Sequence, residues 1–165
     1  MTTLADFATE QAQLLTETPF AVGMAVMAAG RSGLGTVKEA AAVTTSVLAG
    51  RQTYANDALI QTLISSLEAQ VKEDRAAAQR LINPFEDTAP DQFLPATLDR
   101  CRQVAALLAA QASPDEAANY KQWLLSIADK VAGAAKEGDF LGIGGVRVSE
   151  PEADANRQIG EALAV

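Results

Sequence analysis

The 165-residue chain has no histidine and one cysteine, and aromatics make up only 5% of it. Without histidine there is no Ser-His-Asp or Cys-His catalysis and no imidazole base. Most zinc sites and the Glu-x-x-His pairs of a di-iron helical bundle are excluded as well. A lone Cys101 forms no internal disulfide and points to a reducing compartment. It lies on an apolar stripe with nothing nearby to lower its pKa, so it reads as a buried, inert thiol. With few aromatics, the core must be built from Leu, Ile, Val, Met and Ala, which lets helices approach closely. Basic residues are also few: 13 against 21 acids, a net charge of -8, with no cluster beyond Lys72/Arg75 and Arg100/Arg102. That field repels phosphate backbones and anionic membranes, so neither nucleic acid nor a membrane surface is an expected partner. Long apolar runs are missing too. Phe20 to Ala29 is about half of the roughly 20 residues that a membrane span needs. The first residues lack the basic and apolar regions of a secretory signal. The expected location is cytoplasmic.

What remains is helical periodicity. The pattern predicts an all-α fold, a single domain of about seven helices over residues 1–165. Leu4, Phe7, Gln11, Leu14 and Leu15 mark a first helix over 3–17, expected to close before Pro19. Pro19 then opens a second helix over 19–29, apolar nearly all round and central in the core. Thr36-Val-Lys-Glu39 is a capping box for a third helix, with Gly50 as its stop. Asn56 and Asp57 start a fourth, with Leu59, Ile60, Leu63, Ile64, Leu67 and Val71 as its stripe and Glu68/Lys72 as a supporting pair. This helix either continues to Ile82 or bends near Glu73. Two prolines and four polar residues make 83–91 a connection between possible halves, 1–82 and 92–165. The next helix begins near Asp91 or Pro95 and turns Leu98, Cys101, Val104, Ala105 and Leu108 inward. Ser113-Pro-Asp-Glu116 is the strongest start signal, combining an N-cap, a first-turn proline and a capping glutamate. Its helix buries Tyr120, Trp123, Leu124, Ile127, Ala128, Val131 and Ala134, and stops at Gly138. Ser149-Glu-Pro-Glu152 caps a last helix with Ala155, Ile159 and Leu163 inward.

Two features stand apart from packing. One is the glycine-rich loop 138–149. Glycines before a helix start can bind phosphate through backbone N–H groups, but no strand precedes them and the Gly-Lys-Ser/Thr spacing is missing. The competing reading has the loop cross the core, with Phe140, Leu141, Ile143 and Val146 filling apolar gaps. The other is the acidic set Glu137, Asp139, Glu150, Glu152 and Asp154 around that loop. Calcium or magnesium favours clustered oxygens, and Glu137, Asp139 and Glu152 are the candidate metal ligands. The spacing is not that of an EF-hand, and acids at a helix start are also explained by the helix dipole.

The halves echo each other. Ala28-Ala-Gly-Arg-Ser-Gly runs to Thr36-Val-Lys-Glu39, and Ala134-Ala-Lys-Glu-Gly runs to Val148-Ser-Glu-Pro-Glu152. Each is a helix end, a glycine-bearing loop and a [ST]-x-x-E cap. This resembles the TerB-like family, named for tellurite resistance, whose proteins are small and all-helical and often carry such a hairpin twice. The chain departs from the family pattern at the loop acid, which is Glu137 or Asp139 here, and has Arg31 and Ser32 in the first hairpin. The resemblance implies a non-enzymatic, stress-associated protein that binds a divalent cation or a protein partner through an acidic face. Two alternatives stand beside it. One is a small-ligand binder or enzyme using the 138–149 loop. The other is a structural homodimer joined through the helix at 19–29.

Overall fold

The computed structural model describes residues 1–30, 37–137 and 148–164, with only the helical backbone described at 37–40 and 135–137. Its elements are α1 (Thr9–Ala29), α2 (Val37–Leu48), α3 (Gly50–Thr53), α4 (Ala58–Glu73), α5 (Arg75–Ile82), α6 (Phe93–Gln111), α7 (Pro114–Glu137) and α8 (Glu150–Leu163). Seven run eight residues or more, and α3 is a single turn. Short 3-10 turns at Leu4–Asp6 and Pro90–Gln92 precede α1 and α6. The chain is all-α, as its periodicity predicts.

The centre of the molecule is α1. It is buried without interruption from Leu15 to Gly23 and again at Ala25 and Val26. Helices α6 and α7 flank it, and α2, α5 and α8 also pack on it. Residues 3–17 and 19–29 are not two helices divided at Pro19. The start is a 3-10 turn in which Thr3 N donates to Asp6 Oδ2 at 2.8 Å, and one continuous helix then runs from Thr9 through Pro19. A proline inside a helix removes the N–H that would bond the carbonyl four residues back. That carbonyl belongs to Leu15, and it accepts the Tyr120 hydroxyl at 2.6 Å instead. Thr16 and Thr18 Oγ1 also donate to the carbonyls of Ala12 and Leu14, at 2.8 and 2.6 Å. Burial against α6 and α7 together with the Tyr120 bond holds the helix through its weak point.

The segment at 83–91 is not a bare connection. Phe85 is buried and stacks on Phe93, with centroids 4.4 Å apart, and both pack on Ala21 and Ala25 of α1. The two stretches 1–82 and 92–165 share one core: Leu15, Phe20 and Ile64 lie in the same cluster as Cys101, Tyr120 and Ile159. Each fully buried large side chain contributes roughly 1.5–3 kcal/mol, so neither stretch keeps its main stabilisation alone.

The open end of α4 is settled by Asp74. Its backbone N–H bonds the Gln70 carbonyl at 2.8 Å and ends α4. Its carboxylate accepts the Ala76 and Ala77 N–H groups, both at 3.0 Å, and starts α5. The fourth helix therefore breaks near Glu73. Glu68 pairs across to Arg51 at 2.9 Å rather than along the helix to Lys72, and Val71 is exposed. On α7 the inward stripe moves from Ala134, which is exposed, to Ala132. Ala134 lies about 20° from the buried Ile127 round the helix, and it is exposed in the last turn of α7. Helix α2 ends at Leu48, beside the stop expected at Gly50, but Gly50 also has a packing role. It begins α3 and is buried under the Trp123 indole; a Cβ there would lie 2.8 Å from Cε2.

Candidate functional site

The end of α1 and the start of α8 meet at one end of the bundle. Gly30 closes α1, its N–H bonding the Val26 carbonyl at 3.2 Å. It sits directly against Glu152 in the first turn of α8: a Cβ on Gly30 would be 2.6 Å from Glu152 Oε1 and 3.0 Å from its Cδ. A side chain at position 30 would displace the Glu152 carboxylate. Helices α7 and α8 run antiparallel, with Asn156 Nδ2 donating to Asp129 Oδ1 at 2.9 Å and Gly160 facing Leu125. The end of α7 therefore lies beside the start of α8, next to the end of α1.

The capping box that begins α8 forms as its sequence predicts. Ser149 N and Oγ donate to Glu152 Oε2 at 3.0 and 2.7 Å, and Glu152 N donates back to Ser149 Oγ at 3.4 Å. Glu152 is 5% exposed, so one carboxylate oxygen closes the cap and the other faces Gly30. Among its acidic neighbours, Asp154 accepts hydrogen bonds from Arg157 and Gln158. Those two bonds, Arg157 first, hold its carboxyl below the ordinary value. Glu150 is exposed at the helix start. The other candidate ligands, the side chain of Glu137 and the whole of Asp139, lie outside the described residues, as do the glycine-rich stretch 138–147 and the Thr36/Glu39 cap. No three carboxylate or thiol groups gather into a metal-holding cluster among the described residues.

The Ser113 capping box also forms, and it does more than its sequence shows. Glu116 Oε2 accepts Ser113 N at 3.0 Å and Ser113 Oγ at 2.8 Å. The same carboxylate also takes Thr2: Thr2 N to Oε1 at 2.6 Å and Thr2 Oγ1 to Oε2 at 2.8 Å. These bonds, the Thr2 N–H first, bring its pKa down to about 2. Cys101 is fully buried, and desolvation pushes its thiol up to about 12. A thiol held protonated is not a nucleophile.

Phe20, Val22, Ala25 and Val26 are in the chain's own core, and Met1 and Val71 are the exposed large hydrophobics among the described residues. No described helix is long and apolar enough to cross a membrane. Comparison with family models, curated proteins and solved structures gives no match.

One group of site-forming residues has no sequence signature. Glu17 is buried in the middle of α1, receiving Arg100 Nη1 at 2.7 Å and Gln13 Nε2 at 2.6 Å. Its partner, 83 residues away, is set by folding alone.

Proposed function

We propose that the chain is a non-enzymatic, stress-associated protein of the TerB-like kind, binding calcium or magnesium at the acidic end of its bundle. The observation that supports this reading is the contact of Gly30 with Glu152. It brings the end of α1 against the first turn of α8, which opens with the acids Glu150 and Glu152. Glu137, Asp139 and Glu152 are the proposed ligands, with Glu152 sharing its carboxylate between the cap and the ion. Hard cations favour such oxygens, and a net charge of -8 raises their local concentration.

The test is thermal unfolding of the full chain in EDTA and then in millimolar Ca²⁺ or Mg²⁺. An ion at 100 times its dissociation constant adds roughly 2.7 kcal/mol. An upward shift in Tm that disappears in Asp139→Asn supports the proposal. An unchanged Tm with both ions rejects cation binding and leaves a protein partner as the reading to pursue.

A further inference from the structure

At the other end of α1 lies a cleft of about 670 Å³, walled by the Leu4–Asp6 turn, the first half of α1, α4 and α5. Its deepest reach along α1, Glu17, is thirteen residues from Gly30, about 20 Å at the helical rise, so the cleft is separate from the acidic end. Its volume is within the range of small-molecule sites, roughly 300–1,000 Å³.

The chemistry of its walls is uneven. Only two lining residues carry charge, Glu17 and Arg80. Glu17 is already neutralised, one oxygen by Arg100 and the other bonded by Gln13. Arg80 is exposed on α5. Its guanidinium has no hydrogen-bond or ion-pair partner among the described residues, and neither do the side chains of Ser66 and Gln70. The open groups of the cleft are thus one cation and the neutral hydrogen-bonding side chains of Thr9, Ser66 and Gln70, in a chain whose overall charge is -8. Leu4, Phe7, Ala12 and Leu81 supply an apolar wall beside them.

We propose that this cleft binds a small organic monoanion with an apolar body, its carboxylate on Arg80 and its hydrocarbon part along Leu4, Phe7 and Leu81. A guanidinium presents a fork of donors that matches a carboxylate in a two-point contact, which an ammonium does not. A carboxylate is favoured over an amine because the cleft's acid has its partners and its base has none. Ser66 and Gln70 add donors along the same wall.

Octanoate is the probe, titrated into the full chain by calorimetry, with octylammonium and 1-octanol as comparisons. Octanoate is expected to bind, 1-octanol at least tenfold more weakly, and octylammonium not at all. Arg80→Gln removes the charge at an exposed position, where substitutions change stability little, and is expected to weaken octanoate at least tenfold. Arg75→Gln, on the same helix but outside the cleft, is expected to leave it unchanged. Absence of octanoate binding at millimolar concentration overturns the proposal. So does binding that survives Arg80→Gln, or an equal loss in both variants, which would mark a general charge effect.

Discussion

Tyr120 completes the helix that Pro19 interrupts. The phenol hydroxyl, fully buried, donates at 2.6 Å to the Leu15 carbonyl, the acceptor that a residue other than proline at 19 would have satisfied. A buried phenol needs an acceptor and a proline-bearing helix leaves one exposed to desolvation. Each solves the other's problem, and the pair ties α7 to α1.

Tyr120→Phe is therefore expected to cost about 1–3 kcal/mol, the range for leaving a buried acceptor unpaired. In a Pro19→Ala background the backbone N–H is restored and can reach Leu15 O, so the same change should cost about 1 kcal/mol less. Urea denaturation of the four proteins measures the coupling. Additive effects would mean that the hydroxyl and the proline are independent.

The glycines separate into those that packing requires and those that it does not. A Cβ at Gly50 would overlap the Trp123 indole, whereas one at Gly133 in α7 meets nothing within 4 Å. Gly50→Ala should lower stability by about 1–3 kcal/mol, as overpacking does. Gly133→Ala should raise it by about 0.5–1 kcal/mol, since alanine costs less chain entropy in a helix interior. Opposite shifts in Tm are the expected result, and two shifts of one sign would contradict the packing of α3 on α7.

The acid limb of the stability curve should carry the mark of Glu116. Its folded pKa, about 2, is below its ordinary value of 4.5. Such a group binds its proton more readily in the unfolded chain, so it stabilises the fold above pH 4.5. That contribution fades as pH falls from 4.5 through about 2. Glu116→Gln should cost about 1 kcal/mol at neutral pH, as loss of a cap does, and flatten the decline between those limits. Denaturant midpoints from pH 7 to pH 2 give the curve. A decline as steep in the variant as in the parent would assign the acid sensitivity elsewhere, with Asp6 and Asp154, also lowered by their hydrogen bonds, the next groups to change.

Helix identity, the two Ser-x-x-Glu starts and the inward faces of α4, α6 and α8 were legible along the chain because they depend on residues three or four apart. Ser113 finds Glu116, and Ser149 finds Glu152, within one helical turn. Leu59, Ile60, Leu63, Ile64 and Leu67 need only the 3.6-residue period to share a face. The stop expected at Pro19 failed for the complementary reason. Proline's local preference is to end a helix, and the partner that overrides it, Tyr120, is 105 residues away. The same distance in sequence hid the Glu17–Arg100 pair, the burial of Phe85 under α1, and the cleft, whose walls come from four elements.

For this chain, then, local chemistry determined which stretches are helices, where most of them begin and that no histidine chemistry operates. Tertiary structure decided which carbonyl Tyr120 completes, which glycines must stay glycines and which charge in the cleft is left open. The first set follows from dihedral preference and hydrophobic period, which act within a turn or two of helix. The second depends on contacts between residues that only the folded core brings within 3 or 4 Å, where burial makes an unpaired polar group costly enough to select its partner.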